Sequence, residues 1–232
     1  MPLMSFRSLA VAAALVLAPP TAAMADYAVI GDSLGVGVNW AAKARVALAR
    51  NSIAIHGGAI LEQIRQLPRG TIAFMSLGTN DAVGGAVDVR KPVQDILAAA
   101  AARDVKLVWL GPPCVFKPWN TYAKQLDTKL RDQLKGTSVI YVGMQDADVC
   151  SPSLRGREGV HFTVAGYTLM WQKAARAAEQ AGLPVVAVAA NEKLASLKDN
   201  QKKKPSPKRH RKRKPTAPSA PAPNKEAIPG AT

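Results

Sequence analysis

The chain has 232 residues, of which 48% are hydrophobic, and a net charge of +15. This length suits one α/β domain with flanking segments, and beyond the first residues no stretch is long and apolar enough for a membrane span. The charge is uneven, because from Asn191 onward 12 Lys and Arg stand against 3 Asp and Glu, a net +9. The basicity therefore describes an appendage rather than the main domain.

The first 25 residues have the pattern of a secretion signal. Arg7 supplies a positive charge, residues 9–18 are apolar, and Ala23-Met24-Ala25 offers a cleavage site. The apolar run is too short to span a bilayer comfortably, so an uncleaved anchor is the weaker alternative. We expect residues 1–25 to be a signal peptide and the mature protein to be periplasmic or secreted, with no integral membrane span.

Strands and helices alternate between residues 26 and 184, the predicted folded domain. The predicted strands are 27–30, 52–55, 72–77, 105–110 and 138–142. The predicted helices are one running to about residue 50, then 61–67, 93–103, 122–134 and a last one from a Thr163 cap to about residue 181.

This alternation predicts an α/β fold of three layers, α/β/α, around a five-stranded parallel sheet. The expected strand order is flavodoxin-like, 2-1-3-4-5. In such sheets the functional residues gather beyond the carboxyl ends of the strands.

The segment 185–232 differs from the domain that precedes it. Residues 202–204 and 208–214 are dense in Lys and Arg, and a Pro- and Ala-rich end follows. Such a composition cannot bury an apolar core, which predicts a disordered tail. Its charge suits an anionic polymer as a partner, and a merely solvated extension is the alternative.

The two cysteines, Cys114 and Cys150, both fall in predicted loops. An exported chain meets an oxidising environment, where such a pair forms a bridge. We expect one intramolecular disulfide, with two separate thiols as the alternative.

Four short segments carry the candidate chemistry. Gly31-Asp32-Ser33-Leu34 follows the first predicted strand and places a hydroxyl where a strand gives way to a helix. The later segments are His56-Gly57-Gly58, Gly78-Thr79-Asn80-Asp81 and Glu158-Gly159-Val160-His161. They add candidate oxyanion donors and a general base, so the set favours a serine nucleophile.

These segments resemble the blocks of the SGNH (GDSL-type) hydrolase superfamily, from residue 27 to about residue 175. Gly31-Asp32-Ser33-Leu34 resembles the nucleophile block and Gly78-Thr79-Asn80-Asp81 the third block. Gly58 resembles the second-block glycine and His161 the base of the fifth block. The resemblance implies that Ser33 attacks an ester carbonyl and His161 takes its proton. It also implies an oxyanion hole made by the N–H groups of Ser33 and Gly58 and the side chain of Asn80.

One position departs from the family pattern. The fifth block usually has an aspartate three residues before the histidine, where this chain has Glu158. Glutamate carries the same charge, so Glu158 is the expected acid of the triad. Because its side chain is one methylene longer, Asp146, Asp148 or a backbone carbonyl remain alternatives for orienting His161.

Several residues allow a second interpretation. Gly57 is an alternative oxyanion donor to Gly58, and His56 an alternative base, although its place at a strand end favours a wall residue. Asp32 is expected to brace the turn through backbone hydrogen bonds. The glycines after Ser33 lack a following Gly-Lys-Ser/Thr, which argues against a nucleotide phosphate site. No Cys–His cluster has metal-ligand spacing, so neither a metal nor a cofactor is expected.

The sequence therefore predicts an exported serine esterase that hydrolyses ester-linked acyl groups, with acetylated envelope polysaccharide as one substrate class. A lipase-like or thioesterase-like acyl hydrolase is the runner-up. A non-catalytic protein that binds a polyanion on the same fold is the alternative from another class.

Overall fold

The computed structural model describes residues 27–85 and 88–185. The predicted signal peptide 1–25 lies outside the described residues, and so does the predicted tail apart from its first residue, Val185. In the described ranges no helix is long and apolar enough to cross a membrane.

Five parallel strands form one sheet in the order β2-β1-β3-β4-β5, which confirms the predicted order. The strands are β1 (Tyr27–Gly31), β2 (Val46–Ala47), β3 (Ile72–Ser76), β4 (Lys106–Leu110) and β5 (Ile140–Val142). β1 and β3 pair along their whole length, from Tyr27↔Ile72 to Gly31↔Ser76. Their carboxyl ends therefore lie side by side, and the loops that leave them start at neighbouring points.

Helices cover both faces of the sheet, which confirms the three-layer α/β/α prediction. They are α1 (Ser33–Ala42), α2 (Gly58–Gln66), α3 (Thr79–Val83), α4 (Arg90–Ala102), α5 (Asn120–Leu134) and α6 (Val164–Gln180). On one face, α1 and α6 pack against the side of β3 that carries Phe74. On the other, α2, α4 and α5 pack around Met75 and Trp109. Alternate residues of a strand point to opposite faces, so Phe74 and Met75 separate the two cores.

The first helix and the second strand differ from the prediction. α1 ends at Ala42 rather than near residue 50, because Lys43 adopts a left-handed conformation with φ 55°. The chain then turns back, and Val46–Ala47 pairs with β1 as β2. Residues 52–55, predicted as the second strand, form turns and irregular backbone, and the buried Ile53 and Ile55 pack in the core without joining the sheet.

Smaller differences concern helix ends. α2 begins at Gly58 rather than 61, and α4 begins at Arg90, so Pro92 lies within the first turn, where its missing N–H costs no helix bond. α3 and a 3-10 turn at Pro152–Leu154 were not predicted, because they are too short to show a hydrophobic period. Thr163 caps α6 as predicted, with its side chain accepting from Gly166 N.

Candidate active site

Ser33 occupies the first position of α1, at the carboxyl edge of the sheet. The preceding turn requires glycine, since Gly31 has φ 110° and a Cβ there would lie 1.9 Å from Ser76 O. Asp32 N donates to the same carbonyl at 3.0 Å. This close approach of β1 and β3 fixes the point at which the serine leaves the sheet.

The Asp32 side chain braces the turn, as predicted, and adds a contact that the sequence does not signal. Its Oδ1 accepts from Leu34 N at 3.0 Å and Gly35 N at 3.3 Å, so it caps α1. It also accepts from Ser76 Oγ at 2.9 Å. The side chain is fully buried, and its Oδ2 has no hydrogen-bond partner. Burial raises the pKa of Asp32 to about 7, although the three donors favour the charged form.

Because the pKa of Asp32 is raised, the free energy of unfolding is expected to fall as the pH rises from about 4 to about 7. In that range the native state keeps a proton that the unfolded state, with an ordinary pKa of 3.8, releases. The Asp32→Asn variant keeps an acceptor oxygen and cannot titrate, so its stability relative to the parent rises across this range by on the order of 4 kcal/mol. Urea unfolding of both proteins at several pH values measures this difference, and parallel profiles would contradict it.

His161 connects Ser33 to Glu158. Its Nε2 lies 3.0 Å from Ser33 Oγ, and its Nδ1 lies 3.0 Å from Glu158 Oε1. The same Glu158 oxygen accepts from the backbone N–H of His161 at 2.5 Å, and this bond lowers the pKa of Glu158. With the ring proton on Nδ1, Nε2 is free to accept the serine hydroxyl proton. These contacts would allow Ser33 to act as a nucleophile, His161 as its base and Glu158 as the carboxylate that orients the ring.

The two alternative acids lie differently. Asp146 accepts from Lys173 Nζ at 2.5 Å and from Val149 N at 3.2 Å, so it joins α6 to the preceding loop. The Asp148 side chain is exposed to solvent. Of the three candidate acids, the structure brings Glu158 to His161.

The candidate oxyanion donors come from the starts of three helices. Ser33 begins α1, Gly58 begins α2, and Asn80 is the second residue of α3. The first N–H groups of a helix have no partner inside it, so those of Ser33 and Gly58 are available to a ligand. Asn80 donates one amide hydrogen to Ile53 O at 2.7 Å, which ties α3 to the segment before Gly58 and leaves its second hydrogen.

Two observations favour Gly58 over Gly57 as a donor. Gly57 N donates to Ala54 O at 3.2 Å, so this N–H is used within a turn. A Cβ added to Gly58 would meet no atom within 4 Å, so this glycine faces open space. The backbone beside Gly58 is therefore accessible to a substrate.

His56 is held away from the role of base. Its Nδ1 lies 2.8 Å from Asp81 Oδ1 and its Nε2 3.0 Å from Asp88 O. The hydrogen bond to Asp81 raises the pKa of His56. Asp81 also accepts from Ile55 N at 2.9 Å, so it fastens the loop before Gly58 to α3. Both residues brace the wall of the site.

Sequence reasoning missed several supporting residues. The side-chain amide of Gln63 makes hydrogen bonds to both the N–H and the C=O of Gly31: it accepts from Gly31 N at 2.6 Å and donates to Gly31 O at 3.2 Å. Ser76 bonds Asp32. The signal in each case is a polar residue on a buried surface: Gln63 on the inner face of α2 and Ser76 at the end of an apolar strand. In the described residues, no three His, Cys, Asp or Glu side chains form a metal-binding group.

The predicted disulfide joins Cys114 to Cys150, 36 residues apart. Cys114 lies in the loop after β4, and Cys150 lies just before the 3-10 turn that leads to His161. The bridge therefore ties two loops at the edge of the sheet that carries the candidate site.

No model of a known protein family matches the sequence, and no curated protein matches it. One similar solved structure is a member of the lipolytic G-D-S-L family from Veillonella parvula, at 16% identity and TM-score 0.52, with 65% of this chain and 96% of that one covered.

Two further structures are similar to a comparable degree. A GDSL-like lipase from Bacteroides thetaiotaomicron has 17% identity and TM-score 0.51, with 67% of this chain and 88% of that one covered. The carboxyl-terminal catalytic domain of peptidoglycan O-acetyltransferase A from Streptococcus pneumoniae, solved with a methylsulfonyl adduct, has 17% identity and TM-score 0.54, with 69% and 96% covered. At these identities the likeness concerns the fold, and the chain has the fold of the SGNH (GDSL-type) hydrolase superfamily.

Proposed function

We propose that this protein is a serine esterase that hydrolyses ester-linked acyl groups through Ser33, His161 and Glu158. The observation that carries the proposal is the pair of contacts at His161, with Nε2 at 3.0 Å from Ser33 Oγ and Nδ1 at 3.0 Å from Glu158 Oε1. A serine hydroxyl is a weak nucleophile unless a base lies within hydrogen-bond reach, and this geometry meets that need.

The reaction proceeds in two halves. His161 Nε2 takes the Ser33 proton as Oγ bonds to the ester carbonyl carbon, and Glu158 stabilises the imidazolium. The N–H groups of Ser33 and Gly58 and the free amide hydrogen of Asn80 bind the oxyanion. The imidazolium then returns the proton to the leaving alcohol, and an acyl-serine remains. His161 takes a proton from a water molecule as the water oxygen bonds to the acyl carbon, and the imidazolium then protonates Ser33 Oγ as the acyl bond breaks, which releases the acid and restores Ser33.

The proposed substrate is an exposed short acyl group, such as an acetyl on envelope polysaccharide. The open space at Gly58 suits an ester presented on a large molecule. The signal-like residues 1–25 and the Cys114–Cys150 bridge suit a periplasmic or secreted protein. One of the similar structures, the domain from Streptococcus pneumoniae, belongs to a peptidoglycan O-acetyltransferase, an enzyme named for acetyl groups on a cell-envelope polymer.

The basic segment 202–214 is proposed to hold the enzyme near an anionic polymer. Its charge is dense in the sequence, and such binding releases counterions and weakens with salt. Because the segment lies outside the blocks that carry Ser33 and His161, it is not needed for hydrolysis of a small ester.

The test is turnover of p-nitrophenyl acetate, butyrate and octanoate, together with acetate release from an O-acetylated polysaccharide. We expect activity to fall from acetate to octanoate, and a chain ended after Leu197 to keep its small-ester turnover. Faster hydrolysis of octanoate would favour the lipase-like or thioesterase-like alternative. A folded protein without turnover on any of these substrates would favour the non-catalytic, polyanion-binding alternative.

A further inference from the structure

Arg155 is a buried cation that takes part in no ion pair of the described residues. Only 7% of its surface is exposed. Its Nη1 donates to Val160 O at 2.9 Å, and its Nη2 donates to Cys114 O. The guanidinium carbon lies 3.5 Å from the centre of the Phe162 ring, and Nε has no hydrogen-bond partner.

Burial of a guanidinium with no carboxylate at ion-pair distance is unfavourable, and the charge of Glu158 offsets this cost only in part. Burial lowers the pKa of Arg155 to about 10. Within the described ranges Arg155 belongs to no ion pair, so its burial is offset by its two carbonyl contacts and by the Phe162 ring. These contacts fall on the residues beside His161 and on the Cys114 loop, and this geometry indicates a role in placing those segments.

The contacts of Arg155 fall on both sides of His161. Val160 directly precedes the histidine and accepts from one arm of the guanidinium, while Phe162 directly follows it and stacks against the guanidinium face. The backbones of Arg155 and Phe162 also pair as an antiparallel bridge. The guanidinium thus contacts the residue before and the residue after His161, whose ring faces Ser33.

The other arm of Arg155 reaches the loop after β4. It donates to Cys114 O and lies 3.0 Å from Cys114 Sγ, within the disulfide. In the same loop, Phe116 N donates to Gly159 O at 2.7 Å, which adds a second link to the histidine segment. The disulfide anchors this loop, so Arg155 connects the residues around His161 to a loop that is covalently bonded to Cys150.

We propose that Arg155 is a positioning residue, whose guanidinium fixes the backbone on both sides of His161 and so keeps Nε2 at hydrogen-bond distance from Ser33 Oγ. This inference rests on the proposed function. Arginine suits the role because its planar fork can bind two carbonyls while its face stacks on a ring. A misplacement of about 1 Å at a reacting group can lower the rate about 100-fold.

The test compares Arg155→Met and Arg155→Lys with the parent and with Arg157→Met. Arg157 is an exposed residue of the same segment, so its replacement removes one charge nearby without touching the contacts of Arg155. We expect Arg155→Met to lower kcat on p-nitrophenyl acetate by about 100-fold with little change in KM, because the base is displaced and the acyl site is not.

Arg155→Lys is expected to recover part of this loss, to about tenfold below the parent, since one ammonium group cannot replace the two-armed fork. Arg157→Met is expected to match the parent. Thermal melting identifies the folded variants. If Arg155→Met does not fold, Arg155→Lys decides, and parent-like kcat in that variant overturns the proposal.

A second measurement does not depend on ester hydrolysis. The ring signals of His161 are recorded by NMR and assigned by their loss in a His161→Gln variant, because the chain has only three histidines. We expect them to move in Arg155→Met and to stay in place in Arg157→Met. Unmoved signals together with unchanged kcat overturn the positioning role. If the parent hydrolyses no ester but the His161 signals still move in Arg155→Met, the positioning role is supported and the esterase assignment is rejected.

Discussion

Ser33→Ala is expected to lower the turnover of p-nitrophenyl acetate by about 10⁴-fold or more, because the variant has no atom to form the acyl-enzyme. The fold is expected to remain intact. The cap of α1 is the Asp32 side chain, and Ser33 Oγ contributes its contact to His161 rather than to the core. Turnover and thermal melting, measured on the same preparations, check both halves of the expectation.

Ser153→Ala is a suitable control for the Ser33 experiment. Ser153 is an exposed serine on the 3-10 turn, and its hydroxyl bonds Ser151 at 2.9 Å. This control removes the same atom from the same residue type and is expected to keep parent turnover. A folded Ser33→Ala protein as active as the control would end the assignment of Ser33 as the nucleophile.

Glu158→Gln is expected to lower turnover by about 100-fold. The amide has no charge to stabilise the imidazolium, and it can turn a donor toward Nδ1 and favour the wrong ring tautomer. In a buried triad the loss is larger, but here the Glu158 side chain is 48% exposed, so water screens part of its effect. Steady-state kinetics of the parent and the variant measure the change.

Two further variants separate the charge of Glu158 from its shape. Glu158→Asp keeps the carboxylate and is expected to retain most of the turnover. Asp146→Asn removes a carboxylate that contacts Lys173 and not His161, so parent-like turnover is expected. If Glu158→Gln were fully active and Asp146→Asn impaired, the acid of the triad would be Asp146.

The sheet order and the layers could be predicted because they depend on pattern. Residues 72–77 are apolar except for Ser76, as expected of a central strand buried on both faces, and β3 is indeed the middle of the sheet. The end of α1 could not be predicted, because it depends on Lys43 in a left-handed conformation, which is usual for glycine and uncommon for lysine. Ile53 and Ile55 misled for a related reason: an apolar run shows burial but not which backbone pairs with the sheet.

The candidate site divides in the same way. Ser33, Asn80 and His161 stand in short segments whose polar residues reveal their chemistry, and the structure brings Ser33 and His161 into contact. Gln63 contacts Gly31, and Arg155 contacts Cys114, in each case a residue distant in the chain. Their roles follow from burial, which only the folded structure displays.

Ser33 and His161 are 128 positions apart, one near each end of the folded region. No fragment that lacks either end holds both groups, and a chain whose ends have not met has no site at all. Esterase activity would thus report that both ends of this region have come together, since the packing that brings α6 against α1 also assembles the nucleophile and its base. A newly made chain would not hydrolyse acyl esters until this part of the fold had formed.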